Sequence, residues 1–300
     1  MHGKLVRPGF YSLLILLLLA AIAPVSQAQI IKRPDIIGIA AVEVQVSDVQ
    51  KALAFYKQLL NYAIKPLAPS ATAFEVKVSH RQTIQVKGGL PEGQAERLLS
   101  LSFQTTDAEA MRQYLKQKGI AVPDSLHKKA KGTLSFSISD PDHHTITFVQ
   151  FLPPPSLQPF IKPVSPDAIS HRILHAGLTI SNDKVADAFY KDILGFSEIW
   201  RGGANDSVTN WINMRLPEST DYLEYMLINA PPNKQQLGSL HHIALLVPDM
   251  QMAVDHLRVR SEQLKYPVAP PRIGRNNRWQ LNLYDPDGTR VELMEPFTFR

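Results

Sequence analysis

One unit, a strand, a helix and then further strands, is written four times along this 300-residue chain, and that repetition restricts the fold more than any other feature. In the first copy Gly38 to Val46 alternates as a strand, Ser47-Asp48 caps a helix over Val49–Leu60, and strand-like runs follow at 73–78 and 82–86. The second copy reads as strand 98–104, helix 108–118 and strands 132–139 and 145–150, the last two split by Asp140-Pro141-Asp142. A third starts at Arg172, with a helix at 183–194 and strands near 208–216 and 222–228. The fourth starts at Leu240, with a helix at 250–260 and strands at 278–284 and 289–295. In places the copies match literally. Ala52-Leu53-Ala54-Phe55-Tyr56-Lys57 parallels Ala186-Asp187-Ala188-Phe189-Tyr190-Lys191, and Asp140-Pro141-Asp142 parallels Asp285-Pro286-Asp287.

Between copies two and three lie Pro153, Pro154, Pro155, Pro159, Pro163 and Pro166, a composition that stiffens and extends a chain. The sequence therefore predicts two domains of two copies each, 29–152 and 167–300, joined by a linker at 153–166. Ahead of them, residues 1–28 read as a signal peptide. Lys4 and Arg7 form the basic start, Leu13 to Ala23 is an apolar run too short to span a bilayer, and small residues precede a cleavage point after Ala28. The expected location is exported, periplasmic or secreted, with no stable membrane span after cleavage. There is no cysteine, which excludes disulfides and thiolate ligands. The net charge is +5, of which Lys4 and Arg7 supply two, and the basic residues form no run with interleaved aromatics. That pattern predicts a solvated surface and no nucleic-acid partner.

Chemistry-bearing residues gather on the last two copies. The strand at 173–180 carries His175, the strand opening at Leu240 carries His242, and the closing strand carries Glu292. Imidazoles and carboxylates on neighbouring strands suit a divalent cation. On the closing strand Arg290, Glu292 and Met294 share one face, and Val291 and Leu293 the other, which belongs under a helix. By the same alternation Arg278, Gln280 and Asn282 face with Glu292. Trp211, Asn213 and Arg215 share a face that the sequence does not orient.

These residues and spacings resemble the vicinal-oxygen-chelate superfamily, which includes glyoxalase I, type I extradiol dioxygenases, fosfomycin-resistance transferases and bleomycin-binding proteins. The most specific parts of the resemblance are the capped helix with its Phe-Tyr pair and the Asp-Pro-Asp-Gly turn before a glutamate-bearing strand. It implies an α+β fold in which four βαβββ modules pair into two domains, with curved mixed sheets forming cups and helices outside. It also implies metal ligands His175, Glu224, His242 and Glu292, with Glu292 and Glu224 as the proton-moving carboxylates. The matched positions Ala41, Ser100 and Thr147 cannot ligate, so the first domain is expected to lack a metal. His241 is expected on the opposite face from His242, either behind the ligands or at the surface, and His143 and His144 at the surface.

The leading functional expectation is a glyoxalase-like isomerase or lyase. A divalent ion (Ni, Co, Zn, Mn or Fe) chelates two adjacent oxygens of a small substrate and stabilises an enediolate. The alternatives are an extradiol-type, non-haem iron dioxygenase, a non-catalytic binder of small molecules or antibiotics, and a thiol transferase. Against the dioxygenase stands the lack of any histidine from Ala176 to Leu240; Tyr284 is the residue that keeps it open. Expected substrate contacts are Arg201, Trp211, Asn213, Arg215, Arg278, Gln280, Asn282 and Tyr284. The assembly is expected to be a monomer or homodimer.

Overall fold

Each repeat places its first strand at the centre of a sheet and sends its remaining strands outward. The computed structural model describes residues 2–3, 31–67, 72–129, 132–152, 164–231 and 233–297. The first half contributes β1 (Ile36–Val46), β2 (Ala63–Pro66), β3 (Ala73–Lys77), β4 (Thr83–Gly88), β5 (Leu98–Thr105), β6 (His127–Lys129), β7 (Thr133–Ser139) and β8 (Thr145–Phe151). The second contributes β9 (Ile173–Ile180), β10 (Ser197–Gly202), β11 (Trp211–Arg215), β12 (Tyr222–Leu227), β13 (His242–Leu246), β14 (Arg272–Ile273), β15 (Trp279–Tyr284) and β16 (Arg290–Met294). The helices are α1 (Val49–Leu53), α2 (Ala108–Gln117), α3 (Asp183–Asp187), α4 (Lys234–Leu240) and α5 (Met250–Leu264).

The strands form two curled eight-stranded mixed sheets with one topology: β2-β3-β4-β1-β5-β8-β7-β6 and β10-β11-β12-β9-β13-β16-β15-β14. The fold is therefore α+β, four βαβββ modules in two paired domains. In each sheet the outermost strand of each module is the one that sequence periodicity misses. β2, β6, β10 and β14 are short and carry no sustained alternation. The helix of the fourth copy is longer than expected, ending at Leu264, α4 lies in a stretch where no element was read, and the strand read from Leu240 starts at His242.

The caps explain why the helices start where they do. Asp48, Asp107, Asn182 and Asp249 each sit in extended conformation and accept backbone N–H bonds from the first turn. The first and third helices do not continue as read. After Leu53 and Asp187 the ladder widens, Ala54–Leu59 and Ala188–Ile193 being π-helical. Leu60 N–H donates to Phe55 O, and Leu194 N–H to Phe189 O. The widened turn buries Phe55 and Tyr56 together in the first copy, and Phe189 and Tyr190 in the third.

Residues Arg33–Arg300 form one compact unit, and matched contacts tie its halves. Ser47 N–H donates to Asp287, and Ser181 N–H to Asp142. Tyr114 OH donates to Ile193 O, and the Arg260 guanidinium to Leu59 O. Thus each Asp-Pro-Asp turn docks on the helix entry of the opposite half. The end of the expected linker is also docked: Ser165 Oγ accepts from Ala63 N–H and donates to Lys77 O. Residues 153–163 of that linker and the leader's basic and apolar segments lie outside the described residues. Among the described residues no helix is long and apolar enough to cross a membrane.

One of these turns holds a strained charge. Asp285 accepts from the N–H groups of Asp287 and Thr289, but burial, with Asp287 nearby, raises its carboxyl to about 6. Folded protein therefore keeps a proton on Asp285 between about pH 4 and 6 that the unfolded chain has lost, so stability falls as pH rises through that window. The full penalty above it is on the order of 3 kcal/mol. Asp285→Asn keeps the accepting oxygen and removes the charge. Denaturant titrations should show the variant more stable than the parent at pH 8 and similar at pH 4; equal stability at pH 8 would refute the assignment.

Candidate metal centre

The four central strands of the second sheet, β12, β9, β13 and β16, each bring one ligand-type side chain to the same point. Registers show why. Ala244 pairs with both His175 and Glu292, and His242 pairs with Gly177, which itself pairs with Glu224. Residues paired across strands share a face, so alternation carries all four onto the concave side. Each is at most 8% exposed.

The distances fit a single cation. His175 Nε2 and His242 Nε2 are 2.9 Å apart. Glu224 Oε2 lies 3.2 Å from His242 Nε2 and 3.9 Å from His175 Nε2, while Glu292 Oε2 lies 3.5 Å from His175 Nε2 and 3.8 Å from His242 Nε2. Donors held about 2.1 Å from a shared ion stand roughly 3 to 4.2 Å from one another. His175, Glu224 and His242 alone offer three ligand atoms within 4.8 Å of one another. The His242 Nδ1 atom lies 2.8 Å from Leu240 O, and Nε2 is the ring nitrogen directed at the cluster. Two Nε2 atoms facing each other with two carboxylates alongside is a donor set that a divalent ion satisfies.

Electrostatics hold the set ready. Burial pushes Glu292 upward, but the His175 hydrogen bond, Arg290 and both imidazoles outweigh it and hold the carboxyl at about 2. Glu224 is likewise lowered: burial opposes, and His242 and His175 prevail. His242 is lowered by burial and by Arg290, whose Nη2 lies 2.7 Å from Nδ1. Ionised carboxylates beside a neutral imidazole are the ligating forms.

Supporting contacts differ between the two histidines. The His175 ring stacks on Tyr222, centroids 4.4 Å apart, and its Nδ1 has no hydrogen-bond partner. The His242 ring lies against β9, where only glycine fits: a Cβ on Gly177 would stand 2.1 Å from the imidazole. His241, turned the other way as expected, is buried rather than superficial. Its Nδ1 meets Glu96 at 2.8 Å and its Nε2 meets Thr179 Oγ1 at 2.8 Å. Thr179 also meets His144, which is anchored by Asp140 at 2.9 Å. The expectation of a surface His144 is thus corrected: packing between halves encloses it, while His143 is exposed.

A cavity of about 530 Å³ opens over Glu224 and Glu292. Trp200, Trp211, Gln280, Arg272, Arg275 and Arg290 line it. Of the expected substrate contacts, Trp211 and Gln280 are in this wall. Asn213 and Asn282 are paired with Glu224 and Glu292 respectively, so they flank the ligands, with a buried, unbonded Oδ1 on each. The registers also settle that Trp211, Asn213 and Arg215 are on the concave face; Arg215, at the exposed strand end, does not reach the cavity. Neither does Arg278, which precedes β15. Arg201 is taken by Glu198 in an exposed ion pair. Tyr284 lines a separate depression with Arg97 and Pro286, away from both carboxylates. Sequence reasoning missed Trp200, because β10 was not read, and Arg272 and Arg275, because they sit around a loop. It had the signal for Arg290, which shares the Glu292 face.

The register also identifies the matching positions of the first sheet as Ala41, Gln85, Ser100 and Thr147. None of these can form a metal site of this kind.

Among solved structures the chain resembles the 2,3-dioxygenase LapB from Pseudomonas sp. KL28, with TM-score 0.67, 12% identity, and coverage of 88% of this chain and 93% of that one. It resembles homoprotocatechuate 2,3-dioxygenase from Brevibacterium fuscum, in complex with 3,4-dihydroxyphenylacetate, at TM-score 0.66 and 15% identity, covering 88% and 82%. The Mn(II)-bound glyoxalase from Novosphingobium aromaticivorans follows at TM-score 0.64 and 16% identity, covering 87% and 83%. No curated protein sequence matches. Such identities establish shared architecture and leave the chemistry open. Sequence-family comparison is firmer: the model of one family matches twice, at residues 38–148 and 172–293, once on each half that the repeats and the paired sheets delimit. The chain belongs to the Glyoxalase/Bleomycin resistance protein/Dioxygenase superfamily.

Proposed function

We propose that the second cup is a metal-dependent isomerase or lyase site of the glyoxalase kind, acting on a small anionic substrate with two adjacent oxygens. The observation that carries this reading is the pair of buried carboxylates, Glu224 and Glu292, set within 3.2–3.9 Å of both imidazoles. A bound divalent ion supplies Lewis acidity, polarising the substrate oxygens so that the adjacent C–H becomes acidic. His175, His242 and the two glutamates hold that ion. One carboxylate then takes the proton from one carbon and returns it to the neighbour. Among the described residues of the cavity wall there is neither a further histidine nor a tyrosine, and the glutamates are the bases at hand. Arg290 and Arg272 favour a substrate carboxylate or phosphate, Arg275 being ion-paired with Asp206, and Trp200 and Trp211 flank its body.

A ring-cleaving dioxygenase is the second reading, supported by the architecture shared with the dioxygenases above, although the Mn(II)-bound glyoxalase shares it over a similar length. Elemental analysis of anaerobically purified protein, with Glu224→Ala alongside, separates the two. Near-stoichiometric Ni, Co, Zn or Mn lost in Glu224→Ala, with turnover of α-oxo or α-hydroxy carbonyl acids, supports the isomerase. Iron retained without Glu224, with catechol cleavage, overturns it in favour of oxygen chemistry. Protein that takes up none of these metals sinks both readings and leaves a binder.

A further inference from the structure

The first cup is empty of metal ligands but not of functional groups. It encloses a cavity of about 960 Å³, against about 530 Å³ over the metal centre. Five cations, Lys65, Lys77, Arg81, Lys87 and Lys129, line it with two carboxylates, Glu43 and Glu75. Where Gly177 lets the His242 ring approach in the second cup, the matched residue here is Glu43. It accepts from Ser100 Oγ at 3.0 Å and pairs with Lys87 at 2.5 Å. Glu75 pairs with Lys77 at 2.5 Å, and Lys65 stands 3.9 Å away.

Between these ion pairs the floor is built of hydroxyls. Ser100, Ser102 and Ser135 are each at most 9% exposed, and Ser137 and Thr147 bond to each other at 2.8 Å. A repeat that had merely lost its metal could have filled this concavity with apolar side chains. At the positions that bear the second cup's ligands stand instead Ala41, Gln85, Ser100 and Thr147, three of them polar. The two glutamates fix the Lys77 and Lys87 ammonium groups in place, and each ammonium has three N–H donors, of which an ion pair uses only part. An excess of cations over carboxylates attracts an anion, and a floor of hydroxyls with the Gln85 amide recognises hydroxyls by exchanging donors for acceptors. The aromatic surface in this wall is supplied by Phe136 and Phe151, in place of the tryptophans of the second cup.

We propose that the first cup is a second ligand site, for a small anion that carries several hydroxyl groups, of the sugar-acid or sugar-phosphate class. The inference does not depend on the metal chemistry of the other cup. Calorimetric titration of the purified full chain with glucuronate, glucose 6-phosphate and neutral glucose tests it. Expected is saturable binding of at least one of the two anions, about one per chain, weakening as salt is raised, with glucose weaker by about tenfold or more. The anion that binds identifies its source group, carboxylate or phosphate. Lys77→Ala and, separately, the exposed Lys129→Glu should each weaken it about tenfold, whereas Arg290→Ala in the metal cup should leave it unchanged. Saturable binding of neither anion overturns the proposal. So does binding of glucose equal to that of the anions, binding undiminished in Lys129→Glu, or binding lost in Arg290→Ala.

Discussion

Glu292→Gln is expected to lose the metal by roughly 100-fold or more in affinity, since even partners of a ligand are worth about 10- to 100-fold. The amide keeps the shape of the side chain but gives up the charge that Glu292 holds down at about 2, leaving Arg290 beside His242 uncompensated. Turnover should fall with metal content at limiting metal. At saturating metal the two roles of the residue separate. Recovered activity would mean that Glu292 only ligates and that Glu224 moves the proton; activity still absent from a fully loaded variant would make Glu292 the base. Full occupancy together with full activity at ordinary metal concentrations would remove Glu292 from the site altogether.

That prediction stands on residues read from the sequence, and it shows which parts of the protein are locally encoded. His175, His242 and Glu292 stand out as imidazoles and a carboxylate on neighbouring strands, and the family resemblance adds Glu224 and makes the four a ligand set; alternation then gives each a face, and the first two repeats supply a blank copy for comparison. The Ala41, Ser100 and Thr147 equivalences follow from the same logic, and the strand registers reproduce them. What alternation does not encode is the identity of edge strands of two to six residues, such as β14 and β10, and hence the placement of Trp200. Nor does it reach contacts far apart in sequence. Glu96 and His241 are 145 residues apart, and nothing near either announces the other. The π-helical turns escape for another reason: Ala52, Phe55, Tyr56 and Leu59 fit an α-helical stripe equally well, and only backbone packing selects the wider ladder. Tyr284 failed because parity gives a face, not a depth; it sits at the strand end, beyond the cup.

Gly177→Ala is the second large effect, and its cause is purely steric. Gly177 is buried in β9 opposite His242, and its backbone needs no glycine-only conformation; space alone demands the missing Cβ. At 2.1 Å from His242 Cε1 and Nδ1, and 2.8 Å from Leu240 O, a methyl group cannot be absorbed by small adjustments. The ring must swing away, which breaks the Leu240 hydrogen bond and carries Nε2 off the point where it meets His175. The variant should fold with a stability loss of about 1–3 kcal/mol, the usual cost of overpacking, and should retain no metal. A double-mutant cycle makes the explanation specific. In a His242→Ala background the obstructing ring is gone, so Gly177→Ala should cost little there, giving a coupling of at least about 1 kcal/mol. If instead the alanine costs the same with or without the imidazole, the clash lies with backbone such as Leu240 O, and the glycine serves the strand rather than the metal ligand.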